Sequence, residues 1–243
     1  MSAIVDTLNS IIWSSALIYL CLGVGLYFSI RTRFMQLRSI REMVRLMFVN
    51  RSSASGISSF QALSVSLSGR VGTGNIAGVA TAIHFGGPGA VFWMWFVSFL
   101  GAATAYIEST LGQIYKEKDH LGRYRGGPAF YIEKAMGQKW YAMTFAIATV
   151  FATGLLLPGV QANSIAISAQ QAWGVPPSAT AAVTVIVLGA IIFGGITRIA
   201  TFAEFVVPLM AIGYIAMSIV VIALNLERVP EVLRLIFNSA FGA

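Results

Sequence analysis

The stretch that decides the fold is SLSGRVGTGNIAGVATAIHFGGPGAVFWMW, residues 66–95. A segment apolar enough to enter a bilayer here holds four closely spaced glycines: Gly69, Gly72, Gly74 and Gly78. Glycine lets the backbone leave the helix, and in hydrocarbon an unpaired N–H or C=O is costly unless something binds it. A helix broken at membrane depth therefore requires either protein packing or a bound solute and ion. The pattern favours a transporter over a simple membrane anchor.

The composition is that of a membrane protein. The chain is 57% hydrophobic and only 10% charged, whereas soluble domains contain about 25% charged residues. Residues 11–30 and 140–197 contain no Asp, Glu, Lys or Arg, and about 20 apolar residues suffice to cross a bilayer as a helix. These features predict an all-α polytopic membrane protein, with the lipid bilayer as its surroundings.

The net charge of +7 could suggest a nucleic-acid partner, but the placement of the basic residues argues against one. They are concentrated in two loops, 31–57 and 116–139. Basic clusters next to membrane spans are the positive-inside signal, so both loops are expected in the cytoplasm and no nucleic acid is expected as a partner.

Six transmembrane helices are predicted, and an interfacial amphipathic helix is expected at 40–49 within the first loop. With both loops inside, both termini fall outside. The predicted spans are 11–30, 58–84, 88–115, 140–166, 178–196 and 199–225.

The sequence offers no catalytic arrangement. There is no P-loop, no metal-ligand spacing and no Ser-His-Asp or Cys-His set, so an enzyme is not expected. The single cysteine, Cys21, excludes an internal disulfide, and the N-terminus lacks the basic start of a secretory signal, which predicts a retained first helix.

The best candidate for chemistry is the sequence Gly72-Thr73-Gly74-Asn75. If the helix unwinds here, the amides beyond the break form the positive end of a half-helix, which suits a carboxylate. The carbonyls before it, from Ser68 to Val71, lose their partners and suit sodium, as do the Asn75 amide and the Thr73 hydroxyl oxygens.

Two other interpretations of this segment are considered. Gly74 and Gly78 alone could form a helix-packing face. A dinucleotide loop is excluded by the spacing of the glycines and by the lack of a surrounding βαβ unit.

Three charges are predicted within membrane depth: Arg70, Glu108 and Glu204. Isolated, each would be costly, so Arg70 is expected to pair with Glu108 or Glu204. A structural charge pair is favoured over a coupling proton site. Gln161 and Asn163 are polar residues in an apolar span, and interhelical hydrogen bonding and substrate contact both remain open for them.

Three segments of the chain resemble the alanine/glycine:cation symporter family, also called the sodium:alanine symporter family. They are residues 66–95, then YKEKDHLGRYRGGPAFYI at 115–132, then GVQAN at 159–163. The similarity runs from the first span to the last residue.

The resemblance implies a leucine-transporter-type fold of two inverted five-helix repeats preceded by one extra helix. By that alignment, residues 1–57 are the extra helix and its basic connector, 58–225 the first repeat, and 226–243 an extracytoplasmic tail. The implied function is sodium-coupled import of alanine or glycine across the inner (plasma) membrane, with sodium as coupling ion and no other cofactor.

The resemblance also implies site residues. The substrate carboxylate would meet Gly72, Thr73, Gly74 and Asn75, and Gln161 would face the same pocket. Sodium would take the carbonyls of Ser68 and Val71, with Asn75 as a further ligand.

Family members are nearly twice this length, and the second repeat is missing from this sequence. The chain is therefore expected to be an N-terminal half, either truncated or assembled with a separately encoded second half. A non-transporting membrane fragment or scaffold is the alternative, and a small channel or proton-coupled exporter using Arg70 and Glu108 is a third hypothesis.

Overall fold

The computed structural model describes residues 2–48, 57–120, 122 and 124–242, and this part of the chain is almost entirely helical. The end of the predicted amphipathic segment and most of the connector after it lie outside the described residues. The helices are α1 (Ser2–Ile12), α2 (Ser15–Arg31), α3 (Met35–Arg38), α4 (Ile40–Phe48), α5 (Ser59–Ser68), α6 (Ala77–Gly86), α7 (Gly89–Ile114), α8 (Pro128–Met136), α9 (Lys139–Phe151), α10 (Leu157–Trp173), α11 (Pro177–Ile192), α12 (Gly195–Leu224) and α13 (Val229–Ala240).

Short irregular elements connect some of these helices. A two-stranded antiparallel hairpin of β1 (Glu117–Lys118) and β2 (Tyr124–Arg125) pairs Glu117 with Arg125. Two 3₁₀ turns cover Thr73–Asn75 and Leu226–Arg228, and a π-helical segment covers Ala152–Leu156.

In the part of the chain that the structure describes, four helical segments are long and apolar enough to cross a membrane, which makes this a multi-pass helical membrane protein. Two further apolar helices, α6 and α11, are shorter than a full span. The four segments are Asp6–Arg31, Gly89–Ile114, Lys139–Trp173 and Gly195–Leu224.

The glycine-rich segment breaks the helix. Helix α5 begins with a capping box, in which the Gln61 amide donates to Ser58 Oγ at 3.1 Å and the Ser58 amide donates to Gln61 Oε1 at 3.0 Å. It ends at Ser68, and regular helix resumes only at Ala77. The predicted span 58–84 is thus two half-helices joined by an extended residue, Gly72, and a 3₁₀ turn.

Helix α7 is the centre of one helix group and packs against α2, α6, α8 and α13. The α2–α7 approach is close: a Cβ on Gly25 would lie 2.9 Å from Leu100 Cβ, so a side chain there would force the helices apart. Near the N-terminal end of α7, the ring of Phe92 contacts the rings of Phe237 in α13 and of Phe241 directly after it, in tilted and edge-to-face arrangements. The residues predicted as a tail therefore include a helix docked on α7.

A second group forms around α12, which packs against α5 and α11, while α10 packs against α11. The buried residues of α12 are small or medium-sized: Ala200, Ala203 and Val207. The whole chain exposes 18038 Å², whereas a compact monomer of 26.0 kDa exposes about 10,500 Å². Large helix faces are consequently left uncovered by the chain itself.

Candidate substrate and ion site

A cavity of about 410 Å³ lies at the helix break, between α5 and the first turns of α10. It is partly open, and its lining comes from the end of α5, the residues of the break and the start of α10. Its lining residues are Ser68, Gly69, Arg70, Val71, Gly72, Gly74, Asn75, Leu157 and Gln161. Sequence-predicted site residues from α5, the 3₁₀ turn and α10 are thus brought together, whereas Thr73 and Asn163 are not among the lining residues.

Two side-chain amides cap the freed backbone beyond the break. The Thr73 amide donates to Gln161 Oε1 at 3.1 Å, and the Gly72 amide donates to Asn75 Oδ1 at 3.0 Å. A helix end leaves such amides without intrahelical partners, and here polar side chains satisfy them. The contact between Thr73 and Gln161 links the broken helix to α10.

Glycine at position 72 gives the Gln161 side chain room to approach the backbone. A Cβ on Gly72 would lie 2.7 Å from Gln161 Nε2, closer than real Cβ contacts allow. By contrast, a Cβ on Gly74 would meet nothing within 4 Å. Gly74 therefore leaves open space on the cavity, and Gly72 allows the amide of Gln161 to reach the backbone.

On the N-terminal side of the break, some backbone carbonyls have no hydrogen-bond donor among the described residues. Helix α5 finishes with the amides of Arg70 and Val71 both donating to the Leu67 carbonyl, at 3.0 and 2.9 Å. Within the described residues, no hydrogen bond reaches the carbonyls of Ser68 or Val71. Unpaired carbonyl oxygens beside a polar cavity are suitable ligands for a hard cation.

The three charges predicted at membrane depth do not pair directly. Arg70 is exposed, and it donates to the Ser66 carbonyl at 3.1 Å and to the Ser66 hydroxyl. Glu204 on α12 instead accepts from Gln61 Nε2 at 2.9 Å. Among the described residues, Arg70 forms no ion pair with Glu108 or Glu204.

Arg70 and Glu108 nevertheless line one further cavity, also of about 410 Å³, at the end of α7. Near its rim, Glu117 binds Lys134 Nζ at 2.9 Å and an Arg125 guanidinium nitrogen at 3.2 Å. The hydrogen bond from Lys134 is the main reason that the pKa of Glu117 lies below its ordinary value of 4.5.

A model of the sodium:alanine symporter family matches residues 1–243, the whole chain. The chain belongs to this family. The resemblance seen in the sequence is confirmed, and with it the class of protein, since the family consists of transporters rather than enzymes.

Curated relatives agree with the family assignment. The chain is 58% identical, over all its length, to a Bacillus subtilis protein named as a putative sodium/proton-dependent alanine carrier, of which it covers 50%. It is 50% identical over 83% of its length to the sodium/proton-dependent alanine carrier of Bacillus sp. strain PS3, covering 45%. It is 38% identical over 99% of its length to a sodium/alanine symporter of Methanococcus maripaludis, covering 54%. The chain spans about half the length of the curated relatives that it matches.

One feature of this family member gave no signal in the sequence. The π-helical segment Ala152–Leu156 immediately precedes Leu157 and lies one turn before Gln161, the two residues that α10 contributes to the cavity. Such π-bulges are frequent at functional sites, where they re-aim the following turn. Gln161 was detectable as a polar residue in an apolar span, but the apolar Leu157 was not.

Proposed function

We propose that this chain supplies the N-terminal half of a sodium-coupled symporter for small neutral amino acids, alanine and glycine. The observation that carries the proposal is the cavity at the helix break. It is lined by Gly72, whose amide a side chain caps, and by Ser68 and Val71, whose carbonyls accept no hydrogen bond within the described residues. An amino acid carboxylate needs the first group, and a sodium ion needs the second.

In the proposed substrate complex, the carboxylate oxygens take over the amides that side chains now hold. Asn75 Oδ1 and Gln161 Oε1 are the present acceptors for Gly72 and Thr73. Gly74, which has no Cβ, gives the carboxylate room.

Sodium would be bound by the Ser68 and Val71 carbonyls, with Asn75 as a side-chain ligand. Opposite unit charges about 4 Å apart attract by about 4 kcal/mol at the effective dielectric constant typical near a protein surface. Because this interaction is reciprocal, sodium strengthens alanine binding as much as alanine strengthens sodium binding. This linkage is the physical basis of the proposed coupling.

We propose six transmembrane helices in this chain: the four long apolar segments, the α5–α6 pair as one broken span, and α11. Residues 1–57 form the extra helix and its connector, and 58–225 form the first repeat of a leucine-transporter-type fold. Residues 226–243 lead outside toward the second repeat. The basic loops face the cytoplasm, and the membrane is the inner (plasma) membrane.

The second half of the transporter would cover the exposed faces and complete the site. In five-plus-five folds the substrate lies between the repeats, and transport proceeds by rocking of one part against another. The exposed area of 18038 Å² is consistent with a chain that packs against further helices. The alternative function, a membrane scaffold that transports nothing, predicts no solute binding in any assembly.

Binding of labelled alanine tests the proposal. The chain is fused to the second half of the 58% identical Bacillus subtilis relative, and binding is measured in sodium and in choline. We expect sodium-dependent binding that Gly74→Leu abolishes, because the leucine fills the cavity, and that the control Gly78→Leu preserves, since a Cβ on Gly78 also meets nothing within 4 Å. Binding that is indifferent to sodium, or equal in both variants, contradicts the proposal.

A further inference from the structure

A third cavity, separate from the helix break and from the cavity lined by Arg70 and Glu108, lies where α2 ends. It measures about 320 Å³. Three of its six lining residues are arginines, and two others carry hydroxyl groups: Arg31, Arg33, Arg38, Thr32 and Tyr106, with Met35 as the sixth. Tyr106 belongs to α7, so the cavity lies between the end of α2 and α7, two helices that approach each other closely at Gly25 and Leu100.

The turn that carries these arginines is held in an unfavourable backbone conformation. Arg33 and Phe34 have φ values of 55° and 50°, in the left-handed region that residues other than glycine rarely adopt. Two hydrogen bonds to Ser29 hold this conformation. The Phe34 amide donates to the Ser29 carbonyl at 2.7 Å, and Gln36 Nε2 donates to Ser29 Oγ at 2.9 Å. Ser29 is fully buried. Strain that persists because buried contacts enforce it is typical of ligand-binding sites.

The arginines have no acidic partner of their own. Of the residues that the structure describes, none offers a carboxylate within ion-pair distance of Arg31, Arg33 or Arg38. The nearest acidic residue in sequence, Glu42, already binds Arg45 at 2.6 Å. Three like charges around one cavity repel each other, and an anion with several oxygens would relieve that repulsion with bidentate hydrogen bonds.

An apolar cavity of about 350 Å³ continues along the same α2–α7 interface, farther from the end of α2. It is about 10 Å of helix from Arg31 to Val24 and about 8 Å from Tyr106 to Gly101. A soluble anion would gain no binding energy from an adjacent apolar cavity. The apolar cavity is lined by Leu20, Cys21, Leu22, Val24, Val97, Leu100, Gly101 and Thr104.

We propose that the α2–α7 interface binds an anionic phospholipid, with the phosphate in the arginine cavity and an acyl chain in the apolar cavity. Basic pockets between transmembrane helices are suited to anionic headgroups at the membrane surface. The lipid would tie the first helix, through its terminal turn, to α7. Free phosphate shares the headgroup chemistry but not the apolar half of the site.

Native mass spectrometry of the fusion of this chain with the second half of its Bacillus subtilis relative, titrated with phosphatidylglycerol or phosphatidylcholine, tests this proposal. The variant Arg33→Gln/Arg38→Gln should weaken phosphatidylglycerol binding by roughly 30-fold, the loss expected for two basic side chains near an anionic headgroup. The matched control Arg41→Gln/Arg45→Gln removes two charges from exposed α4 and should leave binding unchanged. Millimolar inorganic phosphate or glycerol 3-phosphate should not displace the lipid.

A second variant tests the acyl-chain cavity without touching the arginines. A Cβ meets nothing within 4 Å on either Gly101, which lines this cavity, or Gly23, which does not. Gly101→Leu should weaken phosphatidylglycerol binding, whereas Gly23→Leu should not, and circular dichroism checks that both variants are folded. Equal loss in both arginine variants, no preference for phosphatidylglycerol, or full displacement by inorganic phosphate would overturn the proposal.

Discussion

The contact between Gly72 and Gln161 yields the sharpest mutational prediction. In Gly72→Ala the new Cβ would lie 2.7 Å from Gln161 Nε2, so the amide of Gln161 must move away. Backbone strain does not contribute, since Gly72 has φ −153° and ψ −171°, an extended conformation open to any residue. The substitution should therefore act almost wholly by breaking the 3.1 Å bond from the Thr73 amide to Gln161 Oε1.

The size of the effect follows from that bond. Leaving a partly buried amide without its acceptor destabilises the ligand-free site by about 1–3 kcal/mol. Because the proposed carboxylate would supply the missing acceptor, alanine affinity should rise by roughly 5- to 150-fold. Gln161→Ala removes the same acceptor and should raise alanine affinity by a similar factor. In the double variant the alanine at position 72 has no amide to displace, so its effect should nearly vanish.

The assay is a double-mutant cycle on alanine affinity, measured in the fusion of this chain with the second half of its Bacillus subtilis relative. Gly78→Ala is the control, because its Cβ meets open space, and it should leave the affinity unchanged. Additive effects of Gly72→Ala and Gln161→Ala would show that the two residues act separately and would refute the reasoning.

Three further predictions concern the ion, the α5–α12 contact and pH. Asn75→Ala should raise the sodium concentration needed for half-maximal alanine uptake, and an unchanged sodium requirement would remove Asn75 from the ion site. Gln61→Leu leaves Glu204 without its 2.9 Å donor and also removes the capping-box acceptor of the Ser58 amide, so it should lower the yield of folded protein. Glu204→Gln in the same background should restore part of that yield, and a yield of Gln61→Leu equal to wild type would contradict this. Because the pKa of Glu117 is lowered by Lys134, the β1–β2 hairpin should be favoured above pH 4.5 and lose this support as pH falls through the lower pKa in the fold, as hydrogen exchange at the hairpin would report.

The helix break could be predicted from the sequence because its cause is local. Gly72 and Gly74 raise the entropic cost of keeping the backbone helical. The side chain of Asn75 accepts a hydrogen bond from the Gly72 amide that the break leaves free. Gln161 was also noticeable as a polar residue in an apolar span. Its contact with Thr73, 88 positions away in the chain, depends on how α10 packs and has no local signature.

Other parts of the structure depended on tertiary contacts that the sequence does not express as a pattern. The donor to Glu204 is the neutral Gln61 rather than a cation, because α12 packs against α5. The hairpin between α7 and α8 is too short for an alternating pattern and is supported by ion pairs of Glu117. The π-helical turn before Leu157 arises from one shifted hydrogen-bond register, which no residue type specifies.

Sodium-driven accumulation of labelled alanine in vesicles tests the central claim most directly: that this chain holds half of a symport site. Three preparations are compared, namely the chain alone, the chain co-expressed with the relative's second half, and the second half alone. We predict accumulation only when both halves are present, and only with an inward sodium gradient. Robust sodium-dependent accumulation by the 243-residue chain alone would contradict the account and would point to a homodimer that builds the complete site from one sequence.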